Sequence, residues 1–439
     1  MIAFCYYNSS IHLRQDSWGR RKRDRRWHQS TQRQRFRCPR LLPAVAGVLL
    51  HACTPGGDGP PLAVQRDSAG ITIVESLRPA WGNPAQTDSA ESNAWRIDPR
   101  PILNLSESGT GDAHSFYQVR GMTRLPDRSL VVLNAGSDEI RQFSADGGFL
   151  GSFGGSGQGQ GPGEFTNAQQ LEVAGDTILV VDRDGVMSVF GPGPVLIRET
   201  RLARRTLAVH AIGTGRLVAR IVPPIPELGR LTRVPEALRT YRFDGSGGDS
   251  IGWTPGYEDY VVGDMRIVPL FQKKAVVGTH GGRIFTGSSD RMQLEEMTAS
   301  GDTVRILRLA VFDLAVSEAE AVAERDARLA APTPQGRRMP PRLQQLLEDM
   351  PLPTTRPAYA DMIVDPAGAI WLRPFRGMSE GGGPESWLVL EPGGRWLGSV
   401  EVPEGFRVWD IGIDEVLGVW HDELDVQHPQ VLHLRRDGE

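Results

Sequence analysis

Residues 119–155 read VRGMTRLPDRSLVVLNAGSDEIRQFSADGGFLGSFGG. Apolar and polar residues alternate in short runs, and each run is bounded by glycine, proline, aspartate or serine. That is the pattern of β-strands joined by tight turns, not of helices. The stretch divides into a strand at 119–124, a turn at PDRS (126–129) and a strand LVVL (130–133). A loop, a strand EIRQF (139–143), a turn ADGG (145–148) and a strand FLGSF (149–153) follow. One unit of about four antiparallel strands is predicted.

The same order recurs along the chain. Copies lie at 169–199, 274–309 and 360–375, the last continuing at 386–403. A shortened copy occupies 409–438. A weaker one begins at AVHAIGTGRLVARIV (208–222) and resumes at RTYRFDGSGGDSIGW (239–253). Together these make six units, with residues 223–238 between the halves of the weak copy read as a proline-rich loop. Radial repetition of four-stranded units leaves only short, protected strand edges. The predicted fold is therefore all-β, a six-bladed β-propeller of four-stranded antiparallel blades. The last copy runs out after its third strand, QVLHL (430–434). An N-terminal strand is expected to close that last blade. GITIVES (70–76) is the first candidate and ILNLS (102–106) the second.

The glycine-rich run GQGQGPGEF (157–165) joins the first full unit to the next. Its glycines fall at every second residue, which misses both G-x-G-x-x-G and the phosphate loop with its G-K-[ST]. Glycine here serves a turn between blades, and Phe165 is expected to plug the space between them. The phrase GxGPGEF followed by a strand and VVD (180–182) resembles NHL-type repeats. Across residues 70–439 the chain resembles the six-bladed propeller lipoproteins of bacteria. In such repeats the aspartate that ends the second strand, here Asp182, commonly braces a turn.

One insertion departs from the repeat. Residues 313–356 include SEAEAVAERDARLAA (317–331), which opens with Ser317 and Glu320 in capping-box spacing. PRLQQLLEDM (341–350) carries proline at its start and a leucine stripe. A small helical insertion between blades 4 and 5 is predicted, with packing or a lid over one face as its role.

Charge is unevenly spread over the 439 residues. Residues 1–52 hold eleven Lys/Arg and two acids, so they carry about +9. The whole chain carries −4, so residues 53–439 carry −13. So acidic a body argues against a nucleic-acid partner, which requires clustered Lys/Arg. The basic run RRKRDRR (20–26) is better explained by export. LLPAVAGVLLHA (41–52) is an apolar run too short to span a bilayer, it follows four arginines, and it ends at Cys53. LHAC (50–53) resembles the lipobox of bacterial lipoproteins, with His51 departing from the usual small or apolar residue. The resemblance implies lipidation of Cys53. Residues 1–52 are then a leader, 53–69 a flexible tether and 70–439 the propeller. The cysteines are Cys5, Cys38 and Cys53, so cleavage before Cys53 leaves no pair for an intrachain disulfide. The expected location is the bacterial cell envelope, lipid-anchored, periplasmic or outer-membrane-facing.

Catalytic signatures are missing: G-x-S-x-G, H-E-x-x-H and Walker A do not occur. A propeller offers ligands the mouth of its central channel, lined by the first strand of each blade. Aligning those strands on the turn that follows places Met122, Gln170, Val209, Ala275, Asp361 and Asp410 at one level. Gly121, Gln169, Ala208, Lys274, Ala360 and Trp409 come one residue earlier, and a slip of one brings in Arg120 and His210. Gln170, His210, Lys274, Asp361, Trp409 and Asp410 are thus the candidate ligand-binding residues. Asp361 and Asp410 are candidates for a divalent cation such as Ca²⁺, which prefers oxygen donors; satisfying backbone groups or ring water is the plainer role for both. The function read from this pattern is a binding module for an envelope protein, peptide or glycan, expected to be monomeric. The alternative comes from the resemblance: some such propellers are lyases, lactonases or related hydrolases with a channel metal. Asp361, Asp410, Gln170 and His210 would be its ligands.

Overall fold

A computed structural model describes residues 61–81, 94–155, 163–193, 195–223, 230–332 and 336–436. The expected leader 1–52, the expected lipidation site Cys53 and residues 157–162 of the glycine-rich run lie outside them.

The described residues form six sheets and few helices, an all-β, propeller-like arrangement. The first sheet runs Val119–Arg124, Leu130–Asn134, Glu139–Phe143, Phe149–Gly154, each strand antiparallel to the next. The second runs Ala168–Ala174, Thr177–Asp182, Val186–Gly191, Val195–Arg201. Burial follows position in the sheet. Leu130, Val131, Val132 and Leu133 are all fully buried, so this second strand is covered on both faces. The outermost strand Phe149–Gly154 is mostly exposed.

Both faces are covered because consecutive sheets share cores. Val131, Leu133 and Ile140 of the first sheet pack with Ile178, Val180 and Phe190 of the second, and Phe165 sits among them, 1% exposed. The third sheet begins at Thr206–Ala211, the fourth at Ala275–His280, the fifth at Asp361–Val364 and the sixth at Phe406–Ile411. The second sheet shares a core with the third, the third with the fourth, and so on to the sixth. Leu417, Val419 and Val431 of the sixth sheet then pack with Val119, Met122 and Leu130 of the first. The first strands of the six sheets touch in the same cyclic order.

The third sheet departs from the sequence reading. Residues 223–238 were expected to form a loop, but Leu231–Arg242 is a strand, paired with Gly247–Val262 in a long hairpin. The register shifts between Val234 and Glu236, at Pro235. Proline has no N–H to give a ladder, and a bulge is where a sheet tolerates it. Gly256 lies opposite at φ 69°, and a Cβ there would fall 1.8 Å from the Val234 carbonyl oxygen, so only glycine fits beside the bulge.

The sixth sheet consists of Phe406–Ile411, Glu415–His421, Gln427–Arg435 and the N-terminal strand Arg96–Asn104. An N-terminal strand thus completes it, and the second candidate overlaps that strand at residues 102–104. GITIVES goes elsewhere. Ile71–Ser76 pairs in parallel with Thr303–Leu309, the outer strand of the fourth sheet, and in antiparallel with Ala63–Ser68. Ala69 (φ 54°) and Gly70 (φ 81°) make the turn, the pairing of left-handed residues that two-residue hairpins favour. The expected tether 53–69 therefore carries a strand over residues 63–68. The chain then hydrogen-bonds the fifth sheet, Ala80 to the Trp396 carbonyl and Trp81 to that of Leu397.

Two helices lie between the fourth and fifth sheets, as the insertion predicted: α1, Glu318–Ala330, and α2, Pro341–Glu348. Ser317 and Glu320 form the expected capping box. The leucine stripe of α2 packs on Tyr260 and Ile267 of the third sheet and on Leu270 just beyond it. Glu324 of α1 accepts hydrogen bonds from Met378 N, Ser379 N and the Ser379 hydroxyl, at 2.9–3.0 Å. The helices thereby bridge the third and fifth sheets at the end where the first strands begin.

Candidate functional site

The first strands of the six sheets carry a concentration of polar and charged side chains. Much of it stitches one sheet to the next. The Gln170 amide donates to the Val209 carbonyl (2.6 Å) and accepts from the Val209 N–H (2.9 Å), joining the second and third sheets. Glu172, two residues on, accepts from the Ala211 N–H at 2.9 Å. The Thr123 hydroxyl donates to Asp410 between the first and sixth sheets. Arg124 forms an ion pair with Glu415 across the same boundary. Each bond replaces the ladder that separate sheets cannot make with one another.

Burial sets the charge state of these groups. Glu172 keeps some water-accessible surface yet lies deep among protein atoms. Desolvation pushes its pKa up to about 7; the Ala211 N–H opposes this and the charge of Asp410 adds to it. Asp410 is also raised, chiefly by desolvation, against the Thr123 hydroxyl and the Ile411 N–H. His210 is pushed down to about 3 by desolvation and then by Arg220, with Asp361 opposing, so its ring is neutral. Desolvation lowers Lys274; Asp361 opposes this, while Arg220, Arg373 and Arg407 reinforce it.

The sequence-derived candidates therefore separate. Gln170 and Asp410 are committed to protein groups. Asp361, exposed on the fifth sheet, has one oxygen bonded to the Met362 N–H at 3.0 Å, the local geometry Asp410 shows with Ile411. Lys274 immediately precedes the first strand of the fourth sheet; its N–H donates to the Ser289 hydroxyl (2.9 Å) and its carbonyl accepts from the Ser289 N–H (3.0 Å). Trp409 lies under the Arg407 guanidinium at 4.2 Å. The His210 Nε2 and Trp409 Nε1 atoms are both buried without a hydrogen-bond partner. Glu172 and Arg407 were not singled out from sequence. Glu172 lies two residues beyond Gln170 in unbroken register, and the period of two along a strand was the signal that could have found it. The register shifts at Trp409, so that period does not connect it to Arg407.

Both Asp410 oxygens and the Gln170 amide already have partners. Among the described residues no three His, Cys, Asp or Glu side chains come together as a metal-binding group. Asp182 braces its turn as the repeat implied, accepting from the N–H groups of Thr166, Asp184 and Val186.

No protein-family model and no curated protein matches the chain. Solved structures do overlay on it. A Bacteroides fragilis protein described as exported is 12% identical, with a TM-score of 0.47, over 83% of this chain and 100% of that one. A member of the DUF4221 family from Bacteroides vulgatus is 11% identical, with a TM-score of 0.48, over 79% and 99%. Regucalcin, a calcium-binding protein from Agrobacterium tumefaciens, is 10% identical, with a TM-score of 0.38, over 77% and 96%. These are likenesses of chain outline and bear on no residue of the site. Among the described residues no helix is long and apolar enough to cross a membrane.

Proposed function

We propose that the chain is an extracytoplasmic, lipid-anchored, NHL-like six-bladed β-propeller that serves as a binding module. Its ring is closed by Arg96–Asn104, and its ligand is an envelope protein, peptide or glycan. The ligand engages the end of the ring where the first strands begin. One observation carries this reading: deep polar groups on those strands, the His210 and Trp409 ring nitrogens, stay without partners while their neighbours are consumed in bonds between sheets. Native interiors leave few such groups, and a partner from outside would satisfy them. The basic leader, the apolar run 41–52 and Cys53 support the location, and the −13 charge of the body speaks against nucleic acid.

Asp361→Ala tests the reading, since Asp361 is exposed and braces nothing beyond its own strand. Wild type and variant are compared on arrays of envelope peptides and glycans. The variant is expected to keep its melting temperature and to lose array binding. Undiminished binding removes this end of the ring from the proposal. Cys53→Ser tests the anchor: the variant should move from the membrane fraction to the soluble fraction.

A further inference from the structure

The N-terminal hairpin enters the fold beside the helical insertion. Ala63 pairs with Ser76, and Ser76 pairs with Leu309 at the close of the fourth sheet's outer strand. In four antiparallel strands the last ends where the first begins, so Ala63 lies at the end that α1 and α2 bridge. The Ala310 N–H donates to the Ser76 carbonyl at 3.0 Å. Ala63 packs on the same core as Phe312 and Leu314, at the root of the insertion. Cys53 stands eight residues before Pro61. Fully extended, a stretch of that length reaches about 28 Å at most, and α1, with 13 residues, is about 20 Å long. A lipid anchor at Cys53 therefore holds the insertion within reach of the membrane surface.

The insertion carries the charge that such a surface attracts. Residues 327–347 hold Arg328, Arg337, Arg338 and Arg342 and no acid, within a body of −13. Arg337, Arg338 and Arg342 are exposed and Arg328 is half-buried. Arg337 and Arg338 line one cleft of about 360 Å³ with Leu329 near the end of α1 and Gln344 of α2, so the tip draws these charges together. Asp326, the nearest acid before them, pairs with Arg325 at 3.4 Å. Local stability does not call for the arginines. Arg342 lies in the first turn of α2, which holds no acid and has no side-chain cap, and the helix dipole disfavours a cation there. An acidic body is repelled by an anionic bilayer, and a tethered one turns its basic face toward the surface.

We propose that the basic tip of the insertion, with Arg328, Arg337, Arg338 and Arg342, lies on the anionic lipid headgroups of the membrane that holds Cys53. The end of the fold where the first strands begin is thereby turned toward the bilayer. The inference rests on the lipid anchor of the reading above and adds to it a contact surface and an orientation.

The chain is taken from the membrane fraction of cells and reconstituted in two kinds of vesicle. One is phosphatidylcholine alone, and the other is two-to-one phosphatidylcholine and phosphatidylglycerol. Gln345→Cys, at an exposed position of α2, supplies a thiol for a fluorescent donor, and a labelled lipid is the acceptor. Energy transfer then reads the height of the tip above the bilayer. Transfer should be higher in the mixed vesicles. It should fall to the phosphatidylcholine level at high salt, which shortens the screening length, and in Arg338→Glu combined with Arg342→Glu. Arg338→Gln combined with Arg342→Gln should fall between. Salt and lipid composition test the contact without any change to the arginines. Equal transfer in the two membranes overturns the proposal and leaves the anchor standing. So does transfer in the mixed membrane that neither salt nor charge reversal alters. A chain found in the soluble fraction before reconstitution overturns the anchor, and this inference with it.

Discussion

The Gln170 side chain hydrogen-bonds both the N–H and the carbonyl of Val209, across the boundary between two sheets. A primary amide is the one side-chain group that matches a peptide's donor and acceptor together. It extends the hydrogen-bonding logic of a ladder to strands that belong to different sheets. Gln170→Leu keeps the volume and removes both bonds, leaving a part-buried N–H and C=O unpaired. The expected cost is about 2–4 kcal/mol, read as a lower urea midpoint with unchanged slope. Gln170→Glu retains only the acceptor and should fall between the two. A neutral result for Gln170→Leu would mean that water replaces the amide between the two sheets.

Phe165 gives the matching apolar contact. It is buried between the first two sheets and meets Phe190 edge-on at a ring separation of 6.1 Å. Nothing in either sheet can collapse into its place without moving the other. Phe165→Ala should cost about 3–5 kcal/mol, the range for large-to-small changes in a rigid core, seen as a drop in melting temperature. Phe165→Leu should recover more than half of that. Equal melting temperatures for wild type and alanine would show that the two sheets do not depend on this plug.

The strands and turns of the repeat were legible because local chemistry and tertiary role agree there. PDRS and ADGG are turns by their residues alone, Ser317 and Glu320 cap a helix by spacing, and Phe165 announces itself as an aromatic after a glycine run. What escaped was set at a distance. Leu231–Arg242 contains Pro235, which argues locally for a loop, and the bulge that admits it depends on Gly256 across the hairpin. Arg96–Asn104 contains Pro99 and Pro101, so its strand propensity is poor. An edge position forgives the missing N–H groups, and the register shifts around Leu432 where Pro101 pairs. At the site, the first-strand alignment found Gln170, Lys274 and Asp410. It had no means of finding that Gln170 answers a backbone group in another sheet, or that Glu172 lies deep enough to titrate near neutrality.

The two N-terminal elements should separate in a truncation series. Residues Ala63–Ser76 cover the outer edge of the fourth sheet, whereas Arg96–Asn104 completes the sixth. Removing residues 1–77 uncovers one outer strand and takes Val74 and the Ser76–Trp396 hydrogen bond from the boundary between the fourth and fifth sheets, but leaves the other shared cores in place. Removing residues 1–104 also uncovers Gln427–Arg435, an edge of unpaired N–H and C=O groups beside the last shared core. Such an edge invites pairing with another chain. The shorter truncation should stay monomeric by light scattering with a lowered melting temperature, and the longer one should lose cooperative unfolding and aggregate. Equal behaviour of the two would show that Arg96–Asn104 does not hold the sixth sheet.

Glu172 and His210 should impose opposite pH dependences on stability. Burial pushes the folded Glu172 carboxyl up to about 7 from its ordinary 4.5. Between those values the folded chain holds a proton the unfolded chain has released, so this group's contribution falls as pH rises and levels off above about 7. The folded imidazole titrates at about 3 against 6.5. Between those values the unfolded chain binds a proton the folded chain refuses, so this contribution is lost as pH falls below 6.5. Wild type carries both slopes, and they partly cancel over the interval they share. Glu172→Gln keeps an oxygen for the Ala211 N–H and removes the carboxyl's slope. Its stability should climb with pH through that interval and exceed wild type by about 1–2 kcal/mol above neutrality, allowing for the partial exposure of the side chain. His210→Gln removes the other slope, and its stability should decline as pH rises from 4.5 toward 7. Urea unfolding at a series of pH values reads both, and profiles that superimpose on wild type would show that neither side chain is desolvated in the folded chain.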